Sequence, residues 1–165
     1  MKHIIVVNGQ GGVGKDTFCL YAMRYMAKEY KFRSSNISTV DEVKGYGKLL
    51  GWDGVKDEKG RKFLSDLKAL STIYNGPLRY VSNHLDKCGA DVVFVHIREP
   101  EEISKFVNLY PSAITIIIKK GDMASYGNKS DDNVNNYPYN YCIDNNGSKD
   151  DLKKTAIEFV NHLMR

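Results

Sequence analysis

Short apolar runs alternate along this chain with longer segments whose apolar residues recur every three or four positions, which predicts strands alternating with helices. The first run, Ile4 to Val7, is rich in β-branched residues and stops at Asn8. Beyond a glycine-rich stretch the period turns helical, placing Cys19, Ala22, Met23, Met26 and Tyr30 on one face. The two methionines read as core filler. A short second strand is expected around residues 33–37. Thr39-Val-Asp-Glu42 then predicts a capping box, opening a helix with Val43, Tyr46 and Leu50 facing inward. The loop 51–56 breaks it, and a longer helix from about Asp57 is expected to bury Phe63, Leu67, Leu70 and Tyr74. Asn75-Gly76-Pro77 ends that helix and starts the next, with Pro77 in a first-turn position. Leu78, Val81, Leu85 and Cys88 line this next helix, and Gly89 closes it.

Residues 91–97 (DVVFVHI) are almost uninterruptedly apolar, as a buried parallel strand requires. Arg98-Glu99-Pro100 ends that strand and opens a helix carrying Ile103, Phe106 and Tyr110. Ala113 to Ile118 reads as a fourth strand and Tyr141 to Ile143 as a fifth. A final helix follows, capped by Ser148, with Leu152, Ala156, Phe159 and Leu163 inward. Between the last two strands, residues 119–140 carry no period and are dominated by Gly, Ser, Asn, Asp and Tyr, the mark of a lid or binding loop. This order predicts an α/β protein with a parallel, doubly wound sheet, organised as a single domain over 1–165. Ligands of such sheets sit at the carboxyl ends of the strands. Those ends are the glycine-rich loop, residues 38–41, residues 96–99 and the segment from Lys119 onward.

Gly9, Gly14 and Lys15 fit G-x-x-x-x-G-K, the phosphate-binding P-loop. Glycines allow consecutive backbone N–H groups to turn inward around an anion with no Cβ in the way. The helix that starts at the loop's end adds free N–H groups and the positive end of its dipole. Gly9, Gln10, Gly11, Gly12, Val13, Gly14, Lys15, Asp16 and Thr17 are therefore the expected nucleotide-binding set, with Lys15 reaching the β- and γ-phosphates. Asp16 stands where Ser or Thr is usual, so Mg²⁺ is expected to be held by the Asp16 carboxylate, directly or through water, or with help from Thr17. The bland reading of the glycines is a tight strand-to-helix turn; the strand before and the helix after favour phosphate.

Composition narrows the setting. At 165 residues the chain is long enough for a real core. Its net charge of +4 is mild, better matched to an anionic small ligand than to nucleic acid. Cys19, Cys88 and Cys142 are three, odd in number and far apart, which argues against a disulfide framework and a zinc site. The N-terminal apolar run is too short for a signal peptide, no segment approaches membrane-spanning length, and the expected location is cytoplasmic.

With these pieces in place the chain resembles P-loop nucleoside and nucleotide kinases, nearest the deoxynucleoside monophosphate kinase and dephospho-CoA kinase branch. The resemblance rests on G-K-D-T at 14–17, a D-x-x-K segment after the second strand (Asp41, Lys44), Arg61, the Arg98-Glu99 pair and I-D-N-N-G-S before the last helix. It implies a three-layer P-loop fold, a five-stranded parallel sheet flanked by helices, with a lid loop. It also implies ATP in the P-loop, Mg²⁺, and a small phosphorylated acceptor near residues 38–75. By the same resemblance Asp41, Lys44, Arg61, Arg98 and Glu99 belong to the acceptor side. Arg98 would hold the acceptor phosphate, and Asn145 and Gly147 would lie near the adenine.

Phosphoryl transfer needs charge neutralisation and in-line positioning more than covalent chemistry. Two polyanions must meet, and Lys15, Arg98, Arg61, Lys44, Lys119, Lys120 and Lys129 are the available cations. Each has a plainer reading: Arg61 and Lys44 as solvated helix charges, Asp41 as a first-turn acid, Arg98 as the partner of a neighbour. His96 reads as a hydrogen-bonded core residue. Two departures from the kinase pattern stand out. His96 occupies the neighbourhood of the usual strand-end acid, leaving Glu99 as its substitute, and residues 121–140 contain no arginine. Those departures keep open a nucleotide-binding regulatory module without turnover. A partitioning-type ATPase is disfavoured because Gln10 stands where such proteins carry lysine. Asn128-Lys-Ser-Asp131 matches the guanine-reading N-K-x-D, yet it follows a polar loop rather than a strand and is taken as coincidence.

Overall fold

The computed structural model describes residues 2–121 and 133–165. Its strands are β1 (His3–Asn8), β2 (Ser34–Ser38), β3 (Val92–His96), β4 (Ile114–Lys119) and β5 (Tyr141–Asp144). Its helices are α1 (Lys15–Tyr30), α2 (Asp41–Leu49), α3 (Glu58–Ile73), α4 (Gly76–Lys87), α5 (Pro100–Leu109) and α6 (Lys149–Leu163). A short 3₁₀ turn spans Asn133–Asn135. The sheet has the order β2-β3-β1-β4-β5, so the strand bearing the glycine-rich loop is central. The pairs β1–β3, β1–β4 and β4–β5 are parallel, with Val7 opposite both His96 and Ile116, and Ile118 opposite Ile143.

Alternation along the strands divides the buried residues between two faces. Ile5, Val7, Phe94, Ile116, Ile118 and Ile143 meet Phe18, Cys19, Ala22 and Met26 of α1 and Leu152, Ala156, Phe159 and Val160 of α6. Ile4, Val6, Val93 and Val95 point the other way and are equally buried, which is why these strands read as unbroken apolar runs. The predicted Ser148 cap forms as a full capping box: Ser148 accepts from the Asp151 N–H while the Asp151 carboxylate accepts from the Ser148 N–H.

The chain divides into two compact units, residues 1–36 with 89–165, and residues 37–88. The second unit holds α2, α3 and α4 and departs from two expectations. No Thr39–Glu42 capping box is present; Val40 occupies the cap position, and the Asp41 carboxylate accepts from the Ser38 N–H at 2.7 Å instead. The expected inward faces are met only in part: Val43 is buried and Phe63 and Leu67 are half-buried. Tyr46, Leu50, Leu70 and Tyr74 are exposed. In α2 the closest approach falls at glycine: a Cβ on Gly47 would lie 3.1 Å from Leu64 Cδ2 and 3.4 Å from Phe63 Cε1. The buried stripe of α2 is therefore Val43 and Gly47, with larger side chains turned outward. In α3 the corresponding anchor is Gly60, whose missing Cβ makes room for the Val55 carbonyl and the Trp52 indole.

Candidate functional site

The glycine-rich loop joins the carboxyl end of β1 to α1 through backbone that only glycine adopts cheaply. Gly9, Gly12 and Gly14 have φ of 142°, 80° and 95°. A Cβ on Gly9 would collide with the Ile118 carbonyl oxygen of the neighbouring strand. Val13 is buried in the core, so the loop is pinned at its middle as well as at its ends.

Two asparagines fix those ends. Asn8, only 1% exposed, closes β1. Its Oδ1 accepts the Gly9 N–H at 2.8 Å, and its Nδ2 donates to the Arg98 carbonyl at 2.8 Å and to the Tyr139 hydroxyl at 2.7 Å. At the other end Asn145 Nδ2 donates to the Val13 carbonyl at 2.9 Å, directly beside Gly14, the left-handed residue that precedes α1. Three bonds offset the cost of burying the Asn8 amide.

Lys15 opens α1 and lies back over the loop, its Nζ donating to the Gly9 and Gln10 carbonyls at 2.7 and 2.6 Å. Asp16 is exposed on the first turn and Thr17 half-buried beside it. Both offer oxygen donors, and among the described residues no cluster of three or more His, Cys, Asp or Glu is preassembled for a metal. Beneath this turn, burial and the Asp16 charge push the Cys19 thiol far above its ordinary value. Cys19 Sγ lies 3.9 Å from His96 Nε2, which in turn meets Asn36 Oδ1 at 2.8 Å. His96 is thus hydrogen-bonded at the end of β3, and half-buried there rather than in the core.

Arg98 follows β3 half-buried, and Glu99 is the residue before α5, with no side-chain cap. Gly147 lets the Asp151 carboxylate come close: an added Cβ would stand 2.7 Å from Asp151 Oδ2. A cleft of about 240 Å³ borders the loop, walled by Gln10 and Val13 on one side and by residues 117–121 with Val134 and Asn135 elsewhere. Lys119 and Lys120, at the end of β4, therefore share a cleft with the glycine-rich loop. Lys129 and the Asn128–Asp131 match lie outside the described residues, as does half of the expected lid, residues 122–132.

Asp41, Lys44 and Arg61 belong to the second unit, where each has a local partner. Lys44 Nζ lies 3.2 Å from Asp41 Oδ1, and Arg61 Nε donates to the Lys56 carbonyl at 2.9 Å. The residues sequence reasoning missed are Asn8 and Tyr139. A polar side chain closing an apolar run just before the first glycine was a signal for Asn8. Tyr139, inside an aperiodic stretch, gave none.

No protein-family model matches the chain, and no curated protein matches it. Among solved structures, shikimate kinase from Aquifex aeolicus aligns over 98% of both chains with 12% identity and a TM-score of 0.52. A sugar kinase from Janibacter sp. aligns over 98% of this chain and 95% of its own, with 12% identity and a TM-score of 0.51. A putative kinase from Chloroflexus aurantiacus aligns over 95% and 97%, again with 12% identity and a TM-score of 0.51. At that identity the likeness is one of fold, and it runs nearly end to end: the chain is an α/β protein with the five-stranded, helix-flanked sheet matched in these kinases.

Proposed function

We propose that the chain is an ATP-dependent phosphotransferase acting on a small phosphorylated acceptor, a nucleoside or deoxynucleoside monophosphate. The observation that carries this reading is the glycine-rich loop itself. Its three left-handed glycines and the start of α1 leave backbone N–H groups to converge on an anion, with Lys15 a short swing away. The two carbonyl bonds that Lys15 gives up would be replaced by charge-assisted bonds to phosphate, which are stronger.

Arg98 is assigned to the acceptor phosphate, and Glu99, Asp41, Lys44 and Arg61 are proposed as further acceptor-binding residues. Lys119 and Lys120 supply the further cations that the arginine-free segment lacks. Asp16 and Thr17, as an exposed carboxylate and a hydroxyl, fit Mg²⁺, which binds through one or two protein oxygens and the nucleotide's phosphates. The metal would neutralise charge on the transferring group; the chain's own part is to orient the two phosphates and exclude water. Asn145, bonded to Val13, shapes the loop in this reading as well as bordering the nucleotide.

ADP release by the purified protein with Mg·ATP tests the proposal. The panel is nucleoside and deoxynucleoside monophosphates and dephospho-CoA, with shikimate and simple sugars as a hydroxyl-acceptor arm. Lys15→Ala is the blank. Release stimulated by one nucleotide names the acceptor; release only with a hydroxyl acceptor replaces the phosphate-acceptor assignment. Tight ATP binding without acceptor-dependent release supports instead a regulatory module, the alternative raised by the absence of arginine from residues 121–140.

A further inference from the structure

The Tyr139 hydroxyl sits between two groups that belong to different parts of the site. It accepts from Asn8 Nδ2 at 2.7 Å and donates to the Val134 carbonyl at 2.8 Å. Asn8 also holds the first N–H of the glycine-rich loop and the carbonyl of Arg98. Val134 is buried and, with Asn135, forms a wall of the cleft whose other side is Gln10 and Val13. One phenol thus links the start of the loop, the end of β3 and the cleft wall contributed by the 3₁₀ turn.

We propose that Tyr139 is a positioning residue for the nucleotide: held between Asn8 and Val134, its hydroxyl fixes the wall of the phosphate cleft that the glycine-rich loop does not supply. The inference rests on the nucleotide-binding reading above. Two observations separate it from generic packing. First, the segment already has another clamp. Asn140 Oδ1 accepts from the Thr115 N–H and hydroxyl at 2.8 and 3.0 Å, and the Asn140 N–H donates to Thr115 Oγ1 at 3.1 Å. Thr115 is near the start of β4, away from the loop, so that clamp ties the segment to the sheet without touching the cleft. Second, the hydroxyl accepts and donates at once, which only a neutral phenol can do, and burial pushes its pKa further from the physiological range, to about 12.

Tyr139→Phe keeps the ring and removes both bonds. The test is titration of purified protein with a fluorescent ATP analogue, alongside thermal unfolding with and without Mg·ATP. The expected result is a dissociation constant raised about tenfold, the worth of one or two hydrogen bonds. The ligand-induced rise in Tm shrinks correspondingly, and in turnover the KM for ATP rises while kcat at saturation holds. Thr115→Ala is the structural comparison, lowering the Tm of the free protein while leaving the dissociation constant unchanged. Tyr137→Phe, at the neighbouring ring 5.1 Å away, alters neither. Should the phenylalanine variant fail to fold, Asn8→Ser removes this bond together with those to the Gly9 N–H and the Arg98 carbonyl, so it is expected to weaken binding at least as much, and binding equal to wild type overturns the inference. Binding by Tyr139→Phe within about twofold of wild type, or equal weakening by Thr115→Ala, overturns the inference while leaving the nucleotide reading intact. Failure of wild type to bind any nucleotide removes both.

Discussion

Replacing Gly14 by alanine tests whether the phosphate loop is held from outside as the geometry indicates. Gly14 has φ 95° and ψ 17°, left-handed backbone that costs an L-residue about 1–2 kcal/mol. The added Cβ would lie 2.6 Å from Asn145 Nδ2 and 3.4 Å from Leu152 Cδ2, so the amide must withdraw. Withdrawal forfeits its bond to the Val13 carbonyl, worth about 1 kcal/mol. Alanine also restricts the unfolded chain, returning about 0.4–1 kcal/mol. The net expectation is a loss of about 2 kcal/mol, or about 4–8 °C in Tm for a chain of this size. Urea unfolding of wild type, Gly14→Ala, Asn145→Ala and the double variant measures each term. Asn145→Ala alone is expected to cost about 1 kcal/mol. In its background Gly14→Ala meets no amide and pays only for its backbone, giving a coupling of about 1 kcal/mol. Costs that add to within about 0.3–0.5 kcal/mol would refute the claim that these two residues share one contact.

Four other outcomes follow from the same geometry. Lys15→Ala is expected to lower phosphoryl transfer about a thousandfold or more while the protein stays folded, checked by ADP release and far-UV circular dichroism. Arg98→Ala is expected to raise the acceptor KM about ten- to a hundredfold with a smaller change in the KM for ATP, since charge-assisted bonds to one phosphate are lost. Of the three cysteines, Cys142 is exposed, Cys88 half-buried and Cys19 buried with its thiol pushed up, so a thiol reagent should label Cys142 first and Cys19 only on unfolding. The bonds from Ser148 hold the Asp151 carboxyl below its ordinary 3.8. A depressed carboxyl contributes stability above its unfolded pKa and loses it as pH falls through the folded one, so Ser148→Ala should narrow the gap in Tm to wild type only below about pH 4.

What could be read from the sequence was what the chain encodes within a few turns of itself. The apolar runs at 4–7, 91–97 and 113–118 announced strands because burial on both faces leaves no polar alternation. Ser148 announced its helix because its partner, Asp151, is three residues away. The 3.6-residue period held only in part in α2 and α3: Val43, Phe63 and Leu67 turn inward, while in α2 the closest packing falls at Gly47. A period counts large apolar residues and is blind to a face that buries by having no side chain, so Tyr46, beside Gly47, was expected inside and lies outside. The motif located the loop, since G-x-x-x-x-G-K is local. Its supports were invisible, because Asn8 to Tyr139 and Asn145 to Val13 span 131 and 132 residues. Whether Asp41, Lys44 and Arg61 serve an acceptor is likewise a question of assembly rather than spacing; within their own unit they are bonded to near neighbours.

Those distant supports bear on how the loop works. A flexible glycine loop would have to be ordered by its anion, and the ordering cost, about 1–2 kcal/mol per residue fixed, would be subtracted from affinity. Here the order is supplied in advance by parts of the sheet and its flanks that lie far apart in sequence. Asn8 holds the first glycine, the Ile118 carbonyl leaves Gly9 no room for a side chain, Val13 is buried in the core and Asn145 holds the carbonyl before Gly14. Glycine at 9 and 14 is therefore needed twice, for the backbone conformation and for the close approach of the group that enforces it. In the proposed reading the loop's N–H groups would meet phosphate already oriented, leaving the binding energy for distinguishing the transferring phosphoryl from bulk anions.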